Sequence, residues 1–288
     1  MAALRSSGTW GSALTADEFA AIRGVGFEPV GQVFGAAVFD AGASAYGCPG
    51  APGPPGDESP SVPATEVSGG GGAESFAPLV QAMNQARHTA VDRMITECAQ
   101  LGGHGVVAVH VSRGAFLGGT QFTLIGTAVR APGAAHAQSA PFASDLSGQD
   151  FAKLITAGWV PVGLALGISI GSRHDDLATT RQARRISGNA EVAGWAELVN
   201  QSRHDARRQL ESDVSRLGAE GVVIAAMPMR VRQRDCPAVV GRRDHIVEAS
   251  FIGTAVAGFR PGGWQADSPP LAIMSLDPRR RQAARIRL

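Results

Sequence analysis

The chain has 288 residues, 44% of them hydrophobic, and a formal net charge of +1 at pH 7. This composition allows two modest hydrophobic cores, and the balanced charge argues against general attraction to nucleic acid or to an anionic membrane. The three cysteines form no CxxC pair, and the sequence shows neither a signal-peptide pattern nor an apolar run of membrane-spanning length, so we expect a cytoplasmic protein without a membrane partner.

Three sequence patterns occur twice in the same order, which indicates a tandem duplication. The repeated segments are residues 26–31 and 158–163, residues 84–88 and 200–204, and residues 126–129 and 253–256. A residue kept in both copies is a better functional candidate than a residue present in only one.

Each copy is predicted to begin with a short helix. Thr15 and Glu18 have the spacing of a capping box, and Ser147 and Asp150 occupy the same places in the second copy. Gly26 and Gly158 then end these helices.

A strand is predicted next, over residues 27–39 and 159–170. Glycines recur at four-residue spacing on one face of each strand, at Gly31 and Gly35 and at Gly163 and Gly167. This spacing indicates a bulge or the close approach of a helix.

A long amphipathic helix follows, near residues 75–101 and 191–217, because apolar residues recur at spacings of three, four and seven. Two further strands connected in a hairpin complete each copy. The predicted fold class is α+β: two β-α-β-β repeats, each with a short N-terminal helix and a small, partly antiparallel sheet packed on one long helix.

The spacing between the copies gives the expected domain organisation. The first repeat covers residues 12–131 and contains a Gly/Pro-rich insert at 41–73, which we expect to be mobile. The second repeat covers residues 144–260 and has a charged insert in its hairpin, around Arg230 to His245. Residues 261–288 form a basic tail that we expect to be disordered.

The repeated motifs resemble the YbjQ-type family of heavy-metal-binding domains. They are residues 86–90, 99–102, 105–107 and 126–129 in the first copy, and residues 203–206, 216–218, 221–223 and 253–256 in the second. The resemblance implies a dodecin-like fold and assembly of single-domain members into a ring, often of five. This chain departs from that pattern because it contains two domains.

The first group of candidate site residues is the repeated pattern Asn-Gln-x-Arg-His. It contributes Asn84, Arg87, His88, Asn200, Arg203 and His204. On a helical wheel each histidine lies nearly opposite the core stripe and each arginine lies on its flank, so the histidines are expected to face solvent or a neighbouring domain. The two hypotheses for this group are an inter-domain or ligand contact and a solvated helix face.

The second group consists of candidate ligands for a divalent metal. His174, Asp175 and Asp176 follow a strand of the second copy, and Cys236 and His245 lie in its hairpin insert. A polar turn is the alternative interpretation of the first three. Cys98, His104 and His110 of the first copy are not repeated in the second.

The sequence contains no GxSxG, P-loop or HExxH motif, and its basic segments lack interleaved aromatic residues, so neither an enzyme nor a nucleic-acid partner is favoured. The preferred hypothesis is a non-enzymatic homo-oligomeric binding or scaffold module. A ring-like assembly and a small ligand or metal at the domain interfaces are both compatible with it. The alternatives are a heavy-metal-binding or metal-resistance protein and an enzyme with a composite site between subunits.

Overall fold

The computed structural model of the protein describes residues 11–40, 65–68, 76–116, 119–131, 140–184, 191–235 and 243–259. Up to Gly258 these residues belong to one compact unit that contains both predicted repeats. The predicted basic tail and most of the predicted insert at 41–73 lie outside the described residues.

The first half begins with a short helix that Thr15 and Glu18 cap as predicted: Thr15 accepts from the Glu18 amide, and the Glu18 carboxylate accepts from the Thr15 amide. Its elements are α1 (Ala16–Gly24), β1 (Glu28–Phe39), β2 (Thr65–Val67), α2 (Ala77–Gln100), β3 (Gly105–Phe116) and β4 (Gly119–Arg130).

The second half begins with a short connecting strand, and Ser147 caps its first helix by accepting from the Asp150 amide. Its order differs from that of the first half by a helix in the place of β2 and by one additional strand in the hairpin. Its elements are β5 (Phe142–Ala143), α3 (Gly148–Thr156), β6 (Trp159–His174), α4 (Leu177–Ala183), α5 (Ala193–Arg216), β7 (Gly221–Ala226), β8 (Met229–Asp235) and β9 (Arg243–Gly258). The α+β class is confirmed.

The strands form two sheets. The first has the order β1-β4-β3-β5, and the second has the order β2-β6-β9-β7, with β8 also paired to β9. The core residues of α2 pack against the first sheet and against alternate residues of β6, from Leu164 to Ile170. The intervening face of β6 packs on α5, through Ala165, Ala206 and Leu210. Helix α2 therefore lies between the two sheets.

The repeated glycines allow each long helix to approach its strand closely, as predicted. A Cβ atom added to Gly35 would lie 2.0 Å from the carbonyl oxygen of Ala90, and one added to Gly167 would lie 2.2 Å from that of Ala206. Gly26 and Gly158 end their helices with φ angles of +84° and +82°, in the left-handed region that favours glycine.

We expect Gly35→Ala and Gly167→Ala each to lower the free energy of unfolding by about 1–3 kcal/mol, because the new methyl group must push a helix backbone away from the sheet. Urea unfolding followed by circular dichroism measures this change. Gly114→Ala is the matched control, since a Cβ at Gly114 meets no atom within 4 Å. Equal stability of all three variants would contradict the close approach.

Three strands differ from the sequence prediction. β2 forms inside the predicted insert and pairs with β6, between Thr65 and Arg173 and between Val67 and Gly171. β5 extends the first sheet by pairing in parallel with Gly105 and Val106 of β3. β8 forms from the charged hairpin insert of the second half and pairs with β9. β2 and β5 owe their places to partner strands distant in sequence, which local composition does not reveal.

Candidate functional site

Asn84, Arg87 and His88 of helix α2 all point towards the second half of the chain. The Asn84 side-chain amide donates to Gln209 Oε1 over 3.2 Å, and Arg87 Nη2 donates to Ser250 Oγ over 2.6 Å. The His88 imidazole lies 3.6 Å from the Asp213 carboxylate. These residues of the first half therefore line the contact between the two halves.

Arg87 is buried, with only 4% of its surface exposed. Its guanidinium lies over the ring of Phe122, with 5.1 Å from the guanidinium carbon to the ring centroid. Burial lowers the pKa of Arg87 to about 10, although the nearby Glu248 carboxylate acts in the opposite direction. Within the described part of the chain, Nε and Nη1 of Arg87 have no hydrogen-bond acceptor.

The pKa of His88 is lowered, because partial burial disfavours the imidazolium more than the Asp213 carboxylate favours it. As pH falls from 6.5 towards this lowered pKa, the unfolded chain binds a proton that the folded chain does not, and we expect stability to decrease. His88→Gln should remove the part of this decrease in stability that comes from His88. Urea unfolding at pH 7.5 and 5.5 measures the effect, with His204→Gln as the matched variant on α5, and a His88→Gln protein with unchanged pH dependence would refute it.

The repeated residues of the second half have a different environment. Asn200, Arg203 and His204 lie on the outer side of helix α5 and are exposed. The same sequence motif is therefore partly or fully buried between the halves in one copy and exposed in the other.

A carboxylate on each long helix accepts a hydrogen bond from a backbone amide of a strand in its own sheet. Asp213 Oδ2 accepts from the amide of Leu166 over 3.0 Å, and Glu97 Oε2 accepts from the amide of Phe34 over 2.6 Å. Leu166 and Phe34 are related by the strand offset of 132 residues, and Asp213 and Glu97 by the helix offset of 116. This pair was not predicted from the sequence, although an acidic residue at the same helix position in both copies was an available signal.

The candidate metal ligands of the second half do not converge on one point. His174 Nδ1 lies 2.8 Å from Asp244, whereas His245 Nδ1 lies 3.1 Å from Asp175. His174 pairs across the strands with Asp244, and its neighbour Arg173 pairs with His245, so the two imidazoles lie on opposite faces of the second sheet.

The remaining candidates have local roles or lie outside the described residues. Asp176 is the N-cap of α4, where it accepts from the Thr179 amide, and it also pairs with Arg173 over 3.1 Å. Cys236 is not among the described residues. Cys98 is buried, and its thiol donates to the carbonyl oxygen of Gly105. In the described ranges no group of three or more His, Cys, Asp or Glu side chains is arranged to hold a metal ion.

Comparison with known proteins agrees with the sequence motifs. Residues 67–132 match the YbjQ family, whose description is "Putative heavy-metal-binding". The match lies in the first half, so the duplication that relates the second half to it stays a prediction. None of the described helices is both long and apolar enough to cross a membrane. No solved structure matches the chain.

The chain is also similar to the encapsulin nanocompartment protein Rv1762c of Mycobacterium tuberculosis, with 31% identity over 220 residues. The aligned region covers 74% of this chain and 75% of that protein. The chain therefore belongs to the same family as this mycobacterial protein, and its first half carries a YbjQ-type domain.

Proposed function

We propose that the protein is a non-enzymatic scaffold or binding module that assembles head to tail with copies of itself. The observation that carries the proposal is a contrast in exposure. Several residues are buried where the two halves of one chain meet. The repeat offsets identify the equivalent residue of the other half in each case, and these equivalent residues are exposed at the two free ends of the molecule.

The first free surface, which we call the first-half face, consists of Phe34 and Val38 of β1 and of Glu97 of α2, whose carboxylate accepts from the Phe34 amide. Phe34 and Val38 are 48% and 51% exposed. Their counterparts in β6, Leu166 and Ile170, are 3% and 5% exposed, because helix α2 of the same chain packs on them. The first-half face therefore has apolar side chains like those of its covered counterpart, and no described residue of the same chain covers it.

The second free surface, the second-half face, consists of Asn200, Arg203, His204 and Val223. Val223 is 39% exposed, whereas its counterpart Val107 is fully buried in a cluster with Leu146 and Phe151 at the start of the second half. A second copy whose helix α1 took the place of α3 would cover Val223 in the same way.

The first-half face carries a carboxylate, Glu97, and the second-half face carries a guanidinium, Arg203, and an imidazole, His204. His88 lies beside Asp213 within the chain, and the counterparts of these residues are His204 on the second-half face and Glu97 on the first-half face. Arg203 adds a positive charge beside His204. Docking the second-half face of one copy on the first-half face of the next would repeat the internal contact, and such a heterologous contact generates a ring or a filament.

The similarity to a protein named as an encapsulin nanocompartment protein supports an assembly role. The direct test is native mass of the full chain at two concentrations about a hundredfold apart. We expect species larger than one chain, with a fraction that grows with concentration. A strict monomer at both concentrations would overturn the proposal.

A further inference from the structure

A cleft of about 280 Å³ lies between the two halves of the chain. It opens between the ends of β1 and β3 on one side and of β8 and β9 on the other. It lies within a single chain, so a ligand could occupy it whether or not copies of the chain associate. Its lining combines an apolar floor with a charged rim.

The floor is formed by aromatic and aliphatic side chains from both halves. The contributing residues are Phe39, Phe76, Leu79, Met83, Ile170 and Ile246. Phe76, Leu79 and Met83 are buried in the main core, and Phe39 stacks on Phe122 with 5.5 Å between the ring centroids. This floor is preformed, as in most small-molecule sites.

The rim is positively charged. Arg113 is paired with Glu248, with 2.7 Å between Nη1 and Oε1. Arg230 and Arg232 also line the cleft, on one face of β8 opposite Glu248 and Ile246 of β9. The described residues supply no carboxylate partner for these two guanidinium groups, and the rim therefore carries two positive charges in excess of its single glutamate.

Buried Arg87 strengthens the positive potential behind the cleft. It follows Met83 by one turn of α2, and its charged neighbours are the same Arg113 and Glu248 that form the rim pair. Water screens a buried charge less than an exposed one, so the guanidinium of Arg87 acts on an anion in the cleft at short range.

We propose that this cleft binds a small organic anion, with a carboxylate held by Arg230 and Arg232 and an apolar body on the floor of Phe39, Phe76 and Met83. A guanidinium fork matches a carboxylate in geometry and forms charge-assisted hydrogen bonds with it. The available volume suits a ligand with about a dozen heavy atoms, near the lower end of known ligand sites.

The test compares three probes by titration calorimetry on the full chain: 4-phenylbutyrate, its neutral analogue 4-phenylbutanamide, and inorganic phosphate. We expect phenylbutyrate to bind about tenfold or more tightly than the amide, because only the acid makes charge-assisted contacts with the rim. We expect phosphate alone to bind more weakly than phenylbutyrate. Equal binding of acid and amide, phosphate binding as tight as the acid, or no phenylbutyrate binding at millimolar concentration would each overturn the proposal.

Two variants separate the rim from the floor. Arg230→Gln with Arg232→Gln alters exposed side chains and should remove the preference for the acid over the amide. Ala115→Phe places a ring on the side of β3 that carries Arg113 and should abolish binding of both probes. Ser112→Phe, on the opposite side of β3, is the matched control. If Ser112→Phe and Ala115→Phe weaken binding equally, the cleft is not the site.

Discussion

Phe34→Glu and Val223→Glu, made in separate chains, are each expected to reduce the assembled protein to monomers, and mixing the two variants is expected to give a dimer with one copy of each. A head-to-tail contact uses a different face from each partner. Each variant therefore retains one intact face, and the two intact faces are complementary. A carboxylate placed in an apolar contact has no compensating partner, so even one substitution should weaken association by two orders of magnitude or more.

Native mass spectrometry distinguishes the possible mixtures, because the two variants differ in mass. Arg232→Glu on β8 is the control: Arg232 is exposed and lines the cleft within one chain rather than either free face, so we expect this variant to assemble as the wild type does. If the contact were instead two-fold and used one shared face, the variant whose substitution lies outside that face would still self-associate. Mixing the two variants would then produce no additional dimer. That result, or full assembly of both variants alone, would contradict the head-to-tail arrangement.

Part of the fold could be predicted from the sequence because it depends on local interactions. Helix caps at Thr15 and Ser147, the glycines that end α1 and α3, and the stripes of the two long helices depend on residues close together in the chain. Their physical causes are local hydrogen bonds, positive φ angles and helical periodicity. These features could be predicted for both halves, and the structure has them in both.

The environment of the repeated Arg-His motif could not be predicted in the same way. A helical wheel places Arg87 and Arg203 alike, on the flank of their helices. In the structure Arg87 is buried against Ser250, whereas Arg203 is exposed. The difference arises because only the first half has a second half beside it, and this neighbour is a property of the tertiary arrangement rather than of the motif. For the same reason the cleft could not be predicted from the sequence, because its walls come from six strands and one helix.

Removing the carboxylate of Asp213 should mainly lower stability, whereas removing that of Glu97 should mainly weaken self-association. This contrast distinguishes the contact between the two halves of one chain from the contact between copies. Asp213 is buried, accepts from the amide of Leu166 and pairs with Arg216 over 2.6 Å. Asp213→Ala leaves the buried amide of Leu166 without an acceptor, and we expect it to lower the free energy of unfolding by about 2–3 kcal/mol. Asp213→Asn keeps an acceptor oxygen and should cost less than half as much.

Glu97→Ala should have little effect on stability and a larger effect on self-association. The amide of Phe34 lies at an exposed edge, where water replaces the lost carboxylate, so the expected loss of stability is below about 1 kcal/mol. Glu97 is, however, the counterpart of Asp213 on the first-half face, and its removal leaves His204 of a second copy without a carboxylate, so we expect weaker self-association. Urea unfolding and native mass, measured on both variants, give the comparison. A Glu97→Ala protein that assembles as the wild type does would show that the external contact is not a repeat of the internal one, because the internal contact places a carboxylate beside His88.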